Sequence, residues 1–225
     1  MFSSVFRILS YLAYERAHAP VRALAVCWLY PYYFVVNRYC RKPLQGNDSR
    51  VAPGVIVSLT SYPARIGVVY QAIESIFAQR LKPEKVILWL CASEVREETL
   101  PASLKRLRAR GLSIVYVEAN LRSHKKLYFA MRHYPRNVIV TADDDTYYPK
   151  DWLEGLYHAH QHYPHYVLCY RGHILRKQEN GLAFIPYVQM AEQSCPSSLE
   201  PSDALMPTGV SGVLYPPGVF DELFF

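Results

Sequence analysis

No apolar stretch in this chain is long enough to cross a bilayer. The best candidate, ALAVCWLYPYYFVVN at residues 23–37, contains Pro31 near its middle. As a helix it would span only about 22 Å, against a hydrocarbon core of about 30 Å. Small residues of a secretory cleavage site are also missing near the N-terminus. The five cysteines form no CxxC pair and no regular spacing, which argues against a disulfide framework or zinc site and for a reducing compartment. A GxxxxGK(S/T) loop is absent, which argues against a P-loop nucleotidase. Most of the chain also lacks a basic excess. Of the net charge of +6, nearly all lies in residues 1–50, where seven Lys and Arg face only Glu15 and Asp48. Nucleic acid is therefore not an expected partner of the body.

What is present is a chain of 225 residues, 51% hydrophobic, which suffices to bury a proper core. Residues 1–42 read as an apolar, basic helical segment. One reading is an interfacial anchor, with aromatic rings at headgroup depth and Arg38, Arg41 and Lys42 facing anionic lipid. It would place the protein at the cytoplasmic, inner face of the cell membrane. The other reading is a helical pair packed on the body. Residues 43–54, with Pro, Gly, Asn, Asp and Ser, read as a linker.

From residue 55 the pattern alternates. Short apolar runs at 55–62, 85–90, 112–118 and 137–142 read as strands. Between them, Ile66, Val69, Tyr70, Ile73, Ile76 and Phe77 repeat with helical spacing, as do Leu100, Leu104 and Leu107, then Leu127, Met131 and Tyr134. This predicts an α/β fold with a single, mostly parallel sheet flanked by helices. Ligands of such sheets bind beyond the carboxyl ends of the strands. Four ends should therefore meet in one crevice: Thr60–Arg65, Leu90–Glu94, Glu118–Arg122 and Asp143–Asp145.

The last of these stands in NVIVTADDDTYYP, residues 137–149. Adjacent carboxylates repel one another, so an oxygen-only cluster here fits a hard cation such as Mg²⁺ or Mn²⁺; a turn or helix cap is the plainer alternative. Strand alternation puts Asp143 and Asp145 on one face and Asp144 on the other, unless a turn brings Asp144 in. A phosphatase of the haloacid dehalogenase type would need Thr or Val where Tyr147 stands.

VIVSLTSYPARI, KVILWL, LRSHKKL, VTADDDTYYPKDW and MPTGVSGVLYPPGVFDEL, in this order, resemble a bacterial family 2-type glycosyltransferase over about residues 54–225. The resemblance implies the A-type nucleotide-sugar fold, a mixed sheet and sugar transfer from a nucleotide-diphosphate sugar to a glycan or lipid-linked acceptor in surface polysaccharide assembly. Thr60, Ser61, Tyr62 and Arg65 would line the nucleotide pocket, with Glu118 at base or ribose and Lys125 or Lys126 near the diphosphate. Asp143 and Asp144 would contact the nucleotide sugar, Asp143 and Asp145 would hold the metal, and Thr208, Gly209 and Gly212 of TGVSG would border the acceptor. Tyr147, Tyr148 and Trp152 are either stacking partners or core. The family's catalytic base lies downstream of a PPGVFDEL-like segment, and this sequence stops at Phe225. A shortened product is the resulting expectation, with Asp203 and Asp221 as weak substitutes and nucleotide binding without turnover as the rival reading.

Overall fold

The computed structural model describes residues 19–46, 49–178, 181, 183–192 and 201–220, with residues 19–23 and 190–192 described by backbone alone. Four strands, β1 (Arg50–Thr60), β2 (Leu81–Cys91), β3 (Leu112–Val117) and β4 (Val138–Thr141), are mutually parallel in the order β3-β2-β1-β4. Two short strands close the same sheet beyond β4. Among β5 (Leu168–Cys169), β6 (Gly172–Ile174), β7 (Leu205–Pro207) and β8 (Val213–Tyr215), β8 runs antiparallel to β4 and β5 antiparallel to β8. The sheet of six strands is therefore mostly parallel and mixed, as expected from the sequence. β6 and β7 form a separate two-stranded ribbon.

Residues of β1 alternate between two cores. Val55, Val57 and Leu59 point to one face, where they pack with helices α2 (Tyr70–Phe77), α3 (Ala102–Arg108) and α5 (Trp152–His162). Ile56 points to the other, with Ile87, Trp89, Ile139 and two residues of helix α4 (Lys125–His133), Ala130 and Met131. Burial on both faces explains why these strands are continuous apolar runs rather than alternating ones.

Three boundaries differ from the sequence pattern. β1 starts at Arg50, inside the expected linker, and pairs with β2 through a register shift between Ala52 and Ile56. Pro53 cannot donate to a ladder and Gly54 has φ +72°, so the irregularity falls where the chemistry requires it. The helix expected over 94–110 begins only at Ala102, because Pro101 disfavours helical backbone at Leu100. The helical spacing from Ile66 likewise becomes α2 only at Tyr70, with hydrogen-bonded turns before it.

Helix α1 (Ala19–Tyr39) packs on the body through Ala25, Leu29, Tyr33 and Asn37, one residue in four. Residues 1–18 lie outside the described residues, so one helix of the expected pair is described. Asn37 Nδ2 donates to Glu74 Oε1 of α2 (2.9 Å), and Arg106 of α3 donates to Asn37 Oδ1 (2.8 Å). Glu74 is fully buried and pairs with Arg110 at 2.6 Å. One ion pair thus ties α1, α2 and the end of α3 together, and Leu44 adds a backbone bond to Arg110 O (2.7 Å).

Removing one partner of such a pair leaves a buried charge unmatched, which costs about 3–5 kcal/mol. Arg110→Ala should therefore lower the urea midpoint by that amount of stability, with the slope of the transition unchanged. A loss below about 1 kcal/mol would mean that the pair behaves as a surface one.

Candidate functional site

The carboxyl ends of β1 to β4 surround a crevice of about 680 Å³. β1 delivers Thr60, then Ser61, Tyr62 and Arg65 from the turn before α2; the end of β2 delivers Glu94. Asn120, Arg122 and Ser123 follow β3, Lys125 and Lys126 open α4, and Asp143, Asp144 and Asp145 follow β4.

The aspartates escape the strand alternation because β4 stops at Thr141 and a turn carries Asp144 and Asp145. All three line the crevice, including Asp144. Each is partnered by a cation. Asp143 accepts from Lys126, and its amide donates to Tyr148 Oη (2.7 Å). Asp144 accepts from Ser61 Oγ (2.7 Å) and Arg65 Nη1 (2.9 Å), and Asp145 accepts from the same Arg65 nitrogen (2.7 Å). The Asp144 hydrogen bond, aided by both carboxylate charges, raises the Arg65 pKa above its ordinary value, so this cation stays charged at any working pH.

Lys125 and Lys126 part company. Lys126 reaches the aspartates, whereas Lys125, almost wholly buried, donates to Asn120 Oδ1 (3.1 Å) and faces Glu94 at 3.7 Å. Asn120 in turn donates to Glu94 (2.8 Å). The direction of Lys126 is set from beneath. Ser58 of β1 accepts from Trp89 Nε1 (2.9 Å) and donates to the Lys126 carbonyl at 2.5 Å, pinning the first turn of α4 to the sheet.

Other expected residues lie elsewhere. Glu118 is exposed and does not line the crevice, because β3 ends at Val117. Tyr148 and Trp152 are core, with rings 4.2 Å apart. Tyr147 stacks on Tyr33 of α1 at 5.6 Å and donates to Gln71; burial pushes its pKa up to about 12. Asp203 is exposed in the turn before β7, and Asp221 lies outside the described residues.

The TGVSG loop does reach the site: a Cβ on Gly209 would stand 3.7 Å from Lys126 Nζ. Trp152 Nε1 holds that loop by donating to Ser211 O (2.9 Å). Thr208 is tied by its amide to Arg171 O (2.9 Å). Gly212 has φ +88°, and a Cβ there would lie 2.5 Å from the Trp152 ring.

The crevice also takes in residues given no individual role in the sequence: Glu94, Asn120 and Arg122, which fall within the strand ends expected there, and Ser123. Their only signal was position just past a strand end. Arg122 carries the one positive φ (+50°) outside glycine among the described residues, a strained backbone of the sort that collects at functional sites. Sequence alone gives no sign of it.

The family model for glycosyl transferase family 2 matches residues 60–186, from the first strand end through the aspartates and beyond β6. The chain belongs to glycosyl transferase family 2. No curated protein matches the sequence. A solved structure similar to it is the mannosyltransferase PcManGT from Pyrobaculum calidifontis in complex with GDP-Man and Mn²⁺, at 18% identity and a TM-score of 0.35. That likeness covers 68% of this chain and 42% of the mannosyltransferase, so the match spans less than half of that protein's length.

The family 2 loop depends on glycine at 212. Gly212→Ala forces alanine into left-handed backbone, about 1–3 kcal/mol, and adds a clash with the indole. It should lower the thermal midpoint, whereas Gly67→Ala, with open space around it, should not. Equal midpoints for the two variants would contradict the described loop geometry.

Proposed function

We propose that this family 2 chain binds a nucleotide-diphosphate sugar in the crevice with Mn²⁺ or Mg²⁺. Its sugar would pass to a glycan or lipid-linked acceptor, as in bacterial surface polysaccharide assembly. The observation that carries the reading is the convergence of Asp143, Asp144 and Asp145 with Arg65 and Lys126 at the strand ends.

The donor set suits the metal. Carboxylate oxygens are hard ligands, and Mg²⁺-like ions take one or two carboxylates plus substrate phosphates rather than an all-protein cage. Among the described residues no group of three ligands stands ready to hold an ion, which fits a site completed by the donor. Asp143 and Asp145 would hold the ion, and its charge would offset what develops on the leaving diphosphate.

The remaining work falls to the chain. Arg65 and Lys126 are charged donors within reach of a diphosphate. Ser61 keeps Asp144 turned inward, and Ser58 keeps Lys126 at the crevice. Residues 208–212 form the border beside Lys126, where an acceptor hydroxyl would enter.

Transfer to a hydroxyl also needs a proton acceptor. Among the described residues, the carboxylates lining the crevice are Glu94 and the three aspartates. Asp203 is not among the residues lining the crevice, which is the observation behind a second reading, nucleotide binding without turnover.

Titration calorimetry with UDP and GDP tests binding. Affinity should rise with Mn²⁺, and Asp145→Asn should abolish that gain. Lys126→Met should weaken binding roughly 10- to 100-fold, the equivalent of one hydrogen bond to a charged group. Affinity unaffected by Asp145→Asn would remove the metal from the site. Nucleotide bound firmly, with no release from any nucleotide sugar, would select the second reading.

A further inference from the structure

We propose that α1 seats on an anionic membrane surface through its outward face, beside the donor crevice. The inward face is accounted for by Ala25, Leu29, Tyr33 and Asn37. The opposite face is apolar where a surface helix should be polar. Leu24, Trp28, Pro31 and Val35 succeed one another at spacings of four, three and four, so they form one stripe. Leu24 is 64% exposed, Trp28 65% and Val35 52%, with Phe34 and Tyr39 exposed at its borders.

Charge selects the occupant. The helix contains no acidic residue, Arg38 continues the stripe, and exposed Arg41 and Lys42 follow it. A second copy seated on this face would bring no carboxylate to meet them. Anionic headgroups would, and tryptophan and tyrosine favour the headgroup depth of a bilayer. No helix among the described residues is long and apolar enough to cross a membrane, so the helix lies on the surface.

Position gives the docking a use. Tyr33 of α1 stacks on Tyr147, two residues beyond Asp145. Gln71 at the start of α2 bonds Tyr147, and Glu74 one turn later bonds Asn37. The helix therefore runs alongside α2 with its N-terminal half toward the crevice end of the sheet. On the transferase reading, an acceptor held in the membrane would meet the donor there. The docking itself does not depend on that reading.

The test is flotation of the full chain with vesicles of phosphatidylcholine plus phosphatidylglycerol, and of phosphatidylcholine alone. The chain should float with the anionic vesicles and not with the neutral ones. Binding should weaken about fivefold for each of Arg38, Arg41 and Lys42 changed to Gln. Trp28→Glu with Val35→Glu should abolish it, while UDP affinity in Mn²⁺, or far-UV circular dichroism if no nucleotide binds, confirms the fold. Trp89 and Trp152 are buried, so a blue shift of tryptophan emission on adding anionic vesicles would report Trp28 entering the interface. Equal flotation with neutral vesicles, no flotation, or flotation indifferent to the double variant would each overturn the proposal. A concentration-dependent dimer broken by the double variant, without vesicle binding, would assign the face to a second copy instead.

Discussion

Three carboxylates on consecutive residues are the constraint around which this molecule is arranged. A pair of unit charges about 4 Å apart costs roughly 4 kcal/mol at an effective dielectric of 20, and Asp143 to Asp145 stand together at the end of a buried strand. The fold meets that cost with partners drawn from distant parts of the sequence. Arg65 comes from the turn after β1, Lys126 from the start of α4 and Ser61 from the end of β1; Tyr148, from the loop just after the aspartates, holds the Asp143 amide instead. Parallel topology makes this possible, because it collects successive strand ends on one edge.

These partners are themselves held. Tyr148 packs on Trp152, Trp152 fixes Ser211, and the loop containing Ser211 returns Gly209 to the side of Lys126. The chain of contacts closes on itself around the crevice. Gly212 is the point at which no side chain fits, and the tight approach of backbone to indole is the reason. Site geometry and core packing are thus one structure, with the aromatic residues of TYYPKDW serving as its frame. Burial places Tyr148 and Trp152 in the core, while Tyr147 is half-buried against Tyr33.

Much of this was legible in the residues. Apolar runs such as KVILWL announce strands buried on both faces, and the aspartates after the fourth run mark the crevice edge. Legibility failed where tertiary contact overrides local pattern. Alternation turns Asp144 away, yet the strand has already ended and Ser61 with Arg65 draws it in. Adjacent Lys125 and Lys126 look equivalent, but neighbouring residues on a helix point about 100° apart, and only the sheet shows which one meets the aspartates. Asn120 and Arg122 fell within a strand end expected at the crevice, but nothing singled them out, because a loop's backbone strain leaves no pattern in composition. Glu118 was given its place by the family resemblance, and Glu94, within the second strand end, lines the crevice instead.

The charge balance of the crevice carries the last step. Arg65, Arg122, Lys125 and Lys126 line it opposite Glu94 and the three aspartates, so it is close to neutral as it stands. A nucleotide-diphosphate sugar brings about two negative charges and a divalent ion two positive ones. Entering together they leave the balance unchanged; either alone upsets it where burial makes imbalance expensive. On the donor reading, Arg65 and Lys126 must also loosen their hold on the aspartates as they turn to phosphate, which exposes Asp143 and Asp145 to the ion. Each ligand would therefore improve the site for the other, and such coupling is reciprocal by necessity. On that reading, the same crowding that makes the aspartates costly in isolation would make metal and donor bind as a pair.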